Sequence, residues 1–241
     1  MPIDLSTIPI IDHHCHALLR VGGPFTAQQF QRFFTESGNA VMRRDHVPYT
    51  VFYQWGIKEL AQFFGCAPTV DAVLAARTRL APLALARCMF EDANIPLLLL
   101  DYGFQGHENL TWQEMRDQVP IRIAPMLRLE VLAQQLIAAH ASFDAFVQAF
   151  DAAVAAARST GHVALKSIIA YRTGLAIQEH APADVAAAYA QARQTALATG
   201  SVRLAHKPLN DFLVLRALAI AEEQALPVQF HTGFGDADLD M

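Results

Sequence analysis

The chain alternates short runs of apolar or β-branched residues with longer segments in which apolar residues recur every three or four positions. The short runs are typical of buried parallel strands and the longer ones of amphipathic helices. Strands are predicted at residues 8–12, 95–101, 121–129, 163–169 and 227–231. This alternation predicts an α/β fold built around a parallel sheet.

The intervals between these strands carry helical patterns. Ser142 is a predicted N-cap for a helix over about residues 143–159, and two further helices are predicted at 183–199 and 210–224. The interval of about residues 17–94 is longer than one crossover helix requires and is rich in aromatic residues. We therefore predict a mostly helical insertion there, whose aromatic side chains form either its own core or the wall of a pocket.

The composition of the chain argues against several classes of protein. The chain has 241 residues, of which 53% are hydrophobic, so it can bury a substantial core. It has no apolar run near the roughly 20 residues that span a bilayer and no secretion signal, which predicts a cytoplasmic protein without membrane contact. Three scattered cysteines argue against a disulfide framework or a cysteine zinc site. A net charge of -5 without a basic run argues against nucleic acid and favours a small-molecule substrate.

Metal-binding side chains follow the predicted strands. His14 and His16 end the first strand, Lys166 lies in the fourth, and His231 ends the fifth. Strict alternation along the first strand would place His14, His16 and Asp12 on one face, with His13 and Cys15 on the other. Because the carboxyl ends of parallel strands meet at one edge, these nitrogen donors are predicted to form a metal site.

Three further segments carry a specific resemblance. Their sequences are ALKSIIAYRTGL from Ala164, KPLNDFLVLRALA from Lys207 and LPVQFHTGFGDADLDM from Leu226. Together with the Asp-x-His-x-His motif at Asp12, they resemble the amidohydrolase superfamily, in the amidohydrolase-related branch. That branch includes the hydrolase-like domain fused to glutamine-synthetase-like proteins in fungi and plants.

The resemblance implies a fold and a domain organisation. We expect a (β/α)8 TIM barrel that is incomplete, with about five β/α units, forming one domain over residues 1–241 with the insertion at 17–94. A histidine of the sixth strand and an aspartate of the eighth, the usual general base, would then be missing. We expect either a truncated product lacking its C-terminal half or a homo-oligomer that covers the open sheet edges.

The resemblance also implies site residues. His14, His16 and His231 are expected to bind one or two divalent metals, with zinc first and manganese, iron or nickel as alternatives. Lys166 is expected either to be carbamylated as a metal bridge, to contact substrate, or to form a structural ion pair. Lys166 and Arg172 are the catalytic candidates.

Charged residues near the strand ends are candidates for substrate binding. The set is Arg128, Glu130, Arg172 and Asp236, which could hold a substrate carboxylate or form salt bridges.

The implied reaction is a metal-dependent hydrolysis of an amide, ester or similar bond in a small substrate, either with or without a carboxylate group. Two alternatives remain open. One is a metal-dependent decarboxylase on the same scaffold, and the other is a noncatalytic binding or assembly domain.

Overall fold

The computed structural model describes residues 7–20, 23–103 and 108–233. Its strands are β1 (Ile11–Cys15), β2 (Leu97–Asp101), β3 (Arg122–Arg128), β4 (Ala164–Ser167) and β5 (Val228–Phe230). They form one sheet in the order β1-β2-β3-β4-β5, and every neighbouring pair is parallel. The five predicted strands and the α/β class are confirmed, with boundaries that differ by a few residues.

The prediction of an incomplete eight-stranded TIM barrel with a helical insertion at 17–94 is wrong. Closure of a barrel requires backbone-to-backbone hydrogen bonds that pair its two end strands. The described strands instead form a single five-stranded sheet that curls into a half-barrel and has β1 and β5 at its edges. The helices between β1 and β2 are therefore the first connection of this sheet and do not interrupt a barrel.

Helices occupy the connections, as the periodic segments predict. The described α-helices are α1 (Ala27–Gln31), α2 (Val51–Phe64), α3 (Val70–Arg77), α4 (Pro82–Asp92), α5 (Trp112–Gln118), α6 (Leu129–Ala139), α7 (Phe143–Ala155), α8 (Pro182–Thr199) and α9 (Lys207–Glu223). Shorter turns of 3₁₀-helix include Arg32–Phe34 and Ile169–Tyr171. Among the residues described, no helix combines the length and the apolar character needed to cross a bilayer.

Helix α7 illustrates how the local sequence determines where a helix begins and which face it buries. The Ser142 side chain accepts a hydrogen bond from the Ala145 N–H and so satisfies one of the unpaired donors at the helix start. Phe146, Phe150 and Val154 follow at intervals of four and have no exposed surface. They pack in the largest apolar cluster, which α6 to α9 form over β4, so burial of this stripe holds α7 against the sheet.

Hydrogen bonds and ion pairs link the start of α9 to the segment around residues 178–180, which follows β4. The Asp211 carboxylate has no exposed surface, and it pairs with His180 at 2.8 Å and Lys207 at 2.9 Å. It also accepts a hydrogen bond from the Gln178 N–H at 3.3 Å. Burial by itself raises the pKa of Asp211, but the hydrogen bonds from Lys207, His180 and Gln178 hold that pKa below its ordinary value.

Burial predicts which leucines stabilise the fold. Leu165→Ala, at a residue of β4 with no exposed surface, is expected to lower the free energy of unfolding by about 2–5 kcal/mol through lost contacts and a cavity. Leu197→Ala on α8, where 58% of the residue's surface is exposed, is the matched control and should change the free energy of unfolding by less than about 0.5 kcal/mol. Urea titration measures both, and equal losses would contradict the packing described.

The buried Asp211 cluster predicts a pH dependence of stability. Asp211→Asn is expected to destabilise the protein at neutral pH by about 1.5–3 kcal/mol, because charged hydrogen bonds are lost. Since the folded pKa is the lower one, this stabilisation is present above the unfolded value of about 3.9 and is lost as pH falls through the folded pKa. The wild-type and Asn curves should therefore converge in acid. Asp92→Asn, at the exposed end of α4, is the control; a pH-independent difference at Asp211 would oppose this prediction.

Candidate functional site

The inner face of the half-barrel carries a row of polar side chains in register. Arg128 of β3 is aligned with Lys166 of β4, and Lys166 is aligned with Gln229 of β5. Residues in register on parallel strands point to the same face of a sheet. Asp101 ends β2, and His14 and His231 lie at the carboxyl ends of β1 and β5. Parallel pairing therefore collects these groups at one end of the sheet.

His14 and His231 come into direct contact. Their ring centroids are 4.5 Å apart with planes at 74°, an edge-to-face arrangement. The His231 N–H donates to the Ser167 carbonyl at 2.9 Å, which fixes the backbone just beyond β5. The Tyr171 ring contacts His231 edge-to-face at 5.1 Å. His14 and His231, which are 217 positions apart in the sequence, thus form one cluster.

Both of these imidazoles have a lowered pKa. Burial contributes most to the lower pKa of His14, followed by the charge of Lys166 and by His231. Burial is also the main cause for His231, followed by Lys166 and Arg128. The neutral imidazole, which a lowered pKa favours, is the form that binds metal ions.

His16 is oriented by the end of the neighbouring strand. Its Nδ1 lies 3.0 Å from the carbonyl oxygen of Asp101. Histidine ligands of metals commonly use one ring nitrogen for such a contact, which directs the other toward the ion. His16 also acts electrostatically on both His14 and His231, so the three imidazoles belong to one neighbourhood.

His13 departs from the predicted strand alternation. The pairing of β1 with β2 shifts between Asp12 and Cys15, an irregularity of the β-bulge kind that disrupts the two-residue period. The ring of His13 lies 2.6 Å from the Gln229 amide nitrogen, which also donates to the His13 carbonyl at 2.7 Å. His13 therefore contacts Gln229, which is in register with Lys166, although strict strand alternation placed His13 on the opposite face. Asp12 accepts a hydrogen bond from the His14 N–H at 3.1 Å and supports this turn.

Lys166 is almost completely buried, with 1% of its surface exposed. Its Nζ donates to the Gln229 side-chain oxygen. Burial is the main cause of a lowered Lys166 pKa; nearby Arg128 lowers it too, while Asp101 acts in the opposite direction. In the described part of the chain no carboxylate lies within salt-bridge distance of Lys166, so the ion-pair alternative has no partner there.

Arg128 is held by a buried carboxylate. Its Nε donates to Asp101 Oδ1 at 3.1 Å, and its Nη2 contacts Oδ2 of the same carboxylate. The Gly103 N–H donates to Oδ1 at 2.8 Å, and a Cβ on Gly103 would lie 2.7 Å from Arg128 Nε. Burial works against ionisation, yet these bonds hold the pKa of Asp101 below its ordinary value. This pairing restricts Arg128, whose predicted contact with substrate stays a prediction.

The other predicted substrate residues occupy different settings. Glu130 is buried, and its Oε1 accepts from the Ser167 hydroxyl at 2.6 Å and the Ile168 N–H at 3.0 Å. Arg172 is half-buried directly after the 3₁₀ turn that carries Tyr171. Asp236 lies outside the described residues. The substrate roles of Glu130, Arg172 and Asp236 therefore stay predictions.

Within residues 7–20, 23–103 and 108–233, no group of three or more His, Cys, Asp or Glu side chains is arranged to hold a metal ion. The structure brings His14 and His231 into ring contact and His16 into their neighbourhood, without a common point of coordination. The donor types still fit a divalent metal, because the imidazoles of His14, His16 and His231 lie at one end of the sheet.

Sequence reasoning missed the residues that hold the cluster. Asp101 and Gln229 contact Arg128, Lys166 and His13, yet neither was a candidate site residue. A signal was present for both, since Asp101 ends the otherwise apolar run LLLLD and Gln229 interrupts an apolar strand. A polar residue on the inner face of a buried strand needs a hydrogen-bonding partner.

No known family profile matches the chain. The chain is 27% identical over 269 aligned positions to protein fluG of Emericella nidulans, an alignment that includes 98% of this chain and 30% of fluG. It is also similar to the crystal structure of a proposed metal-dependent hydrolase from Lactobacillus casei, with a TM-score of 0.82 and 29% identity. That alignment covers 98% of this chain and 61% of the bacterial one. The chain thus spans less than a third of fluG and about three fifths of the bacterial protein.

Proposed function

We propose that this chain carries the histidine site of a metal-dependent hydrolase of the amidohydrolase superfamily. The observation that carries the proposal is the contact between His14 and His231, which reach each other at 4.5 Å from the two edge strands of the sheet. The similarity to the Lactobacillus casei protein supports it, because that protein is itself proposed to be a metal-dependent hydrolase.

His14, His16 and His231 would hold the metal, with zinc as the first candidate. A divalent ion there would supply Lewis acidity, which would polarise a carbonyl group and lower the pKa of water toward neutrality. The contact between His16 Nδ1 and the Asp101 carbonyl would hold this ring in place.

The surrounding residues would orient substrate and maintain the site. Gln229 accepts a hydrogen bond from the Nζ of Lys166. The lysine would either react as the neutral amine with carbon dioxide, losing a proton to form a carbamate that could hold metal, or contact an anionic substrate group as the ammonium ion. Asp101 and Arg128 fix the ends of β2 and β3 and thereby the carbonyl that orients His16. Arg172 is proposed to bind a substrate carboxylate beside Tyr171, which packs on His231.

Metal binding tests the site directly. The wild-type protein is expected to bind about one equivalent of Zn²⁺ or more, and His14→Ala or His231→Ala should each weaken binding by more than about 100-fold, because loss of outer partners alone costs about 10–100-fold. Isothermal titration and elemental analysis measure this. His162→Ala is the matched control, because His162 precedes β4 and therefore lies at the opposite end of the sheet. Unchanged affinity in both site variants, or no binding by the wild type, would refute the proposed site.

Turnover tests the reaction class. Wild-type protein loaded with Zn²⁺ is expected to hydrolyse members of a panel of small carboxylated amides and esters, and chelation should remove this activity until Zn²⁺ is restored. Lys166→Met should reduce the rate by about 10²–10³-fold, the usual cost of losing one electrostatic contact in an active site. Product analysis by chromatography and a carbon dioxide assay checks the bond that is broken. Carbon dioxide release without hydrolysis would replace the proposed reaction with decarboxylation.

A further inference from the structure

A cavity lies among the helices that connect β1 to β2. Its volume is about 420 Å³, and none of the residues proposed for the metal site lines it. Small-molecule pockets in proteins typically have volumes of about 300–1,000 Å³. The cavity is therefore large enough to hold a small ligand.

Aromatic and aliphatic side chains form most of its wall. These include Phe25, Phe30, Phe33, Phe34, Leu83 and Phe90, from α1, the 3₁₀ turn after it, α4 and the chain preceding α1. The rings of Phe25 and Phe33 pack edge-to-face at 5.6 Å, as do those of Phe30 and Phe34 at 5.2 Å. Such a wall favours an apolar ligand, because burial of apolar surface is the main source of affinity there.

Arg77, near the end of α3, is the one charged residue among the described residues that line this cavity. Its guanidinium carbon lies 4.4 Å from the centre of the Phe25 ring, and its Nη1 donates to the Gly23 carbonyl at 3.2 Å. No salt bridge joins it to a carboxylate in the part of the chain that the structure describes. Burial also lowers the Arg77 pKa, a sign that its charge is partly removed from water.

A guanidinium has five N–H donors in a planar fork that matches a carboxylate. At Arg77 the Gly23 carbonyl uses one group and the Phe25 ring covers one face. An anion would compensate a positive charge that apolar walls partly shield from solvent, whereas a cationic ligand would be repelled.

We propose that this cavity binds a small apolar carboxylate, with its hydrocarbon part against the phenylalanines and its carboxylate on Arg77. This goes beyond the proposed function, because it assigns a second site in the β1–β2 connection that is built without the histidines.

Octanoate and the neutral octan-1-ol are the probes, since they share a chain length and differ in charge. Isothermal titration of the full chain is expected to show saturable octanoate binding that is at least about tenfold tighter than octan-1-ol binding. Arg77→Met should weaken octanoate binding by about 10–100-fold and leave octan-1-ol binding unchanged. Arg79→Met is the matched control, because Arg79 is exposed two residues away, and it should bind octanoate like the wild type.

Two more variants separate a defect in folding from a defect in binding and keep the two proposals distinct. Ala86→Leu fills part of the cavity from α4 with Arg77 intact, and it should weaken the binding of both probes. His14→Ala should leave octanoate binding unchanged even as it removes metal binding. Absence of octanoate binding by the wild type, equal affinity for the two probes, or wild-type octanoate affinity in Arg77→Met would each overturn the proposal.

Discussion

The contact between the first and last strands is the constraint on which the histidine site depends. Four strand spacings separate β1 from β5, and in a flat sheet their ends would lie about 19 Å apart at about 4.8 Å per spacing. Gln229 of β5 nevertheless donates to the His13 carbonyl of β1 at 2.7 Å. That contact requires the sheet to curl, and the same curl brings the rings of His14 and His231 to 4.5 Å. The half-barrel therefore creates the cluster, since the strand pairing alone would leave its histidines far apart.

Buried charges near the histidine cluster are of two kinds: an ion pair, and a lysine that faces a neutral amide. Asp101 and Arg128 satisfy each other in the interior, where breaking one partner of a buried pair costs about 3–5 kcal/mol. Lys166 is as deeply buried but faces a neutral amide, which leaves its positive charge to act on the two histidines. The first pair forms a rigid frame, and the charge of Lys166 adds to burial in lowering the pKa of His14 and His231.

Much of this site was predictable from the sequence, but its supporting contacts were not. The strand-end positions of His14, His16, Lys166 and His231 follow from apolar periodicity and from the common edge of a parallel sheet. The position of His13 was not predictable, because a bulge in β1 changes the alternation on which the prediction relied. The roles of Gln229 and Asp101 depend on partners in other strands. Those partners become neighbours only when strands at a distance in sequence are paired and curled.

The sequence by itself determined the five strands, the helical connections and the end of the sheet at which the chemistry collects. Local periodicity and capping encode these features, as the Ser142 cap and the buried stripe of α7 demonstrate. Tertiary structure alone decided that the described sheet curls, that Arg128 pairs with Asp101, and that Arg77 lines a separate apolar cavity. The physical reason is that sheet curvature, ion pairing and cavity shape are set by residues far apart in the chain, and no local pattern records which of them will meet.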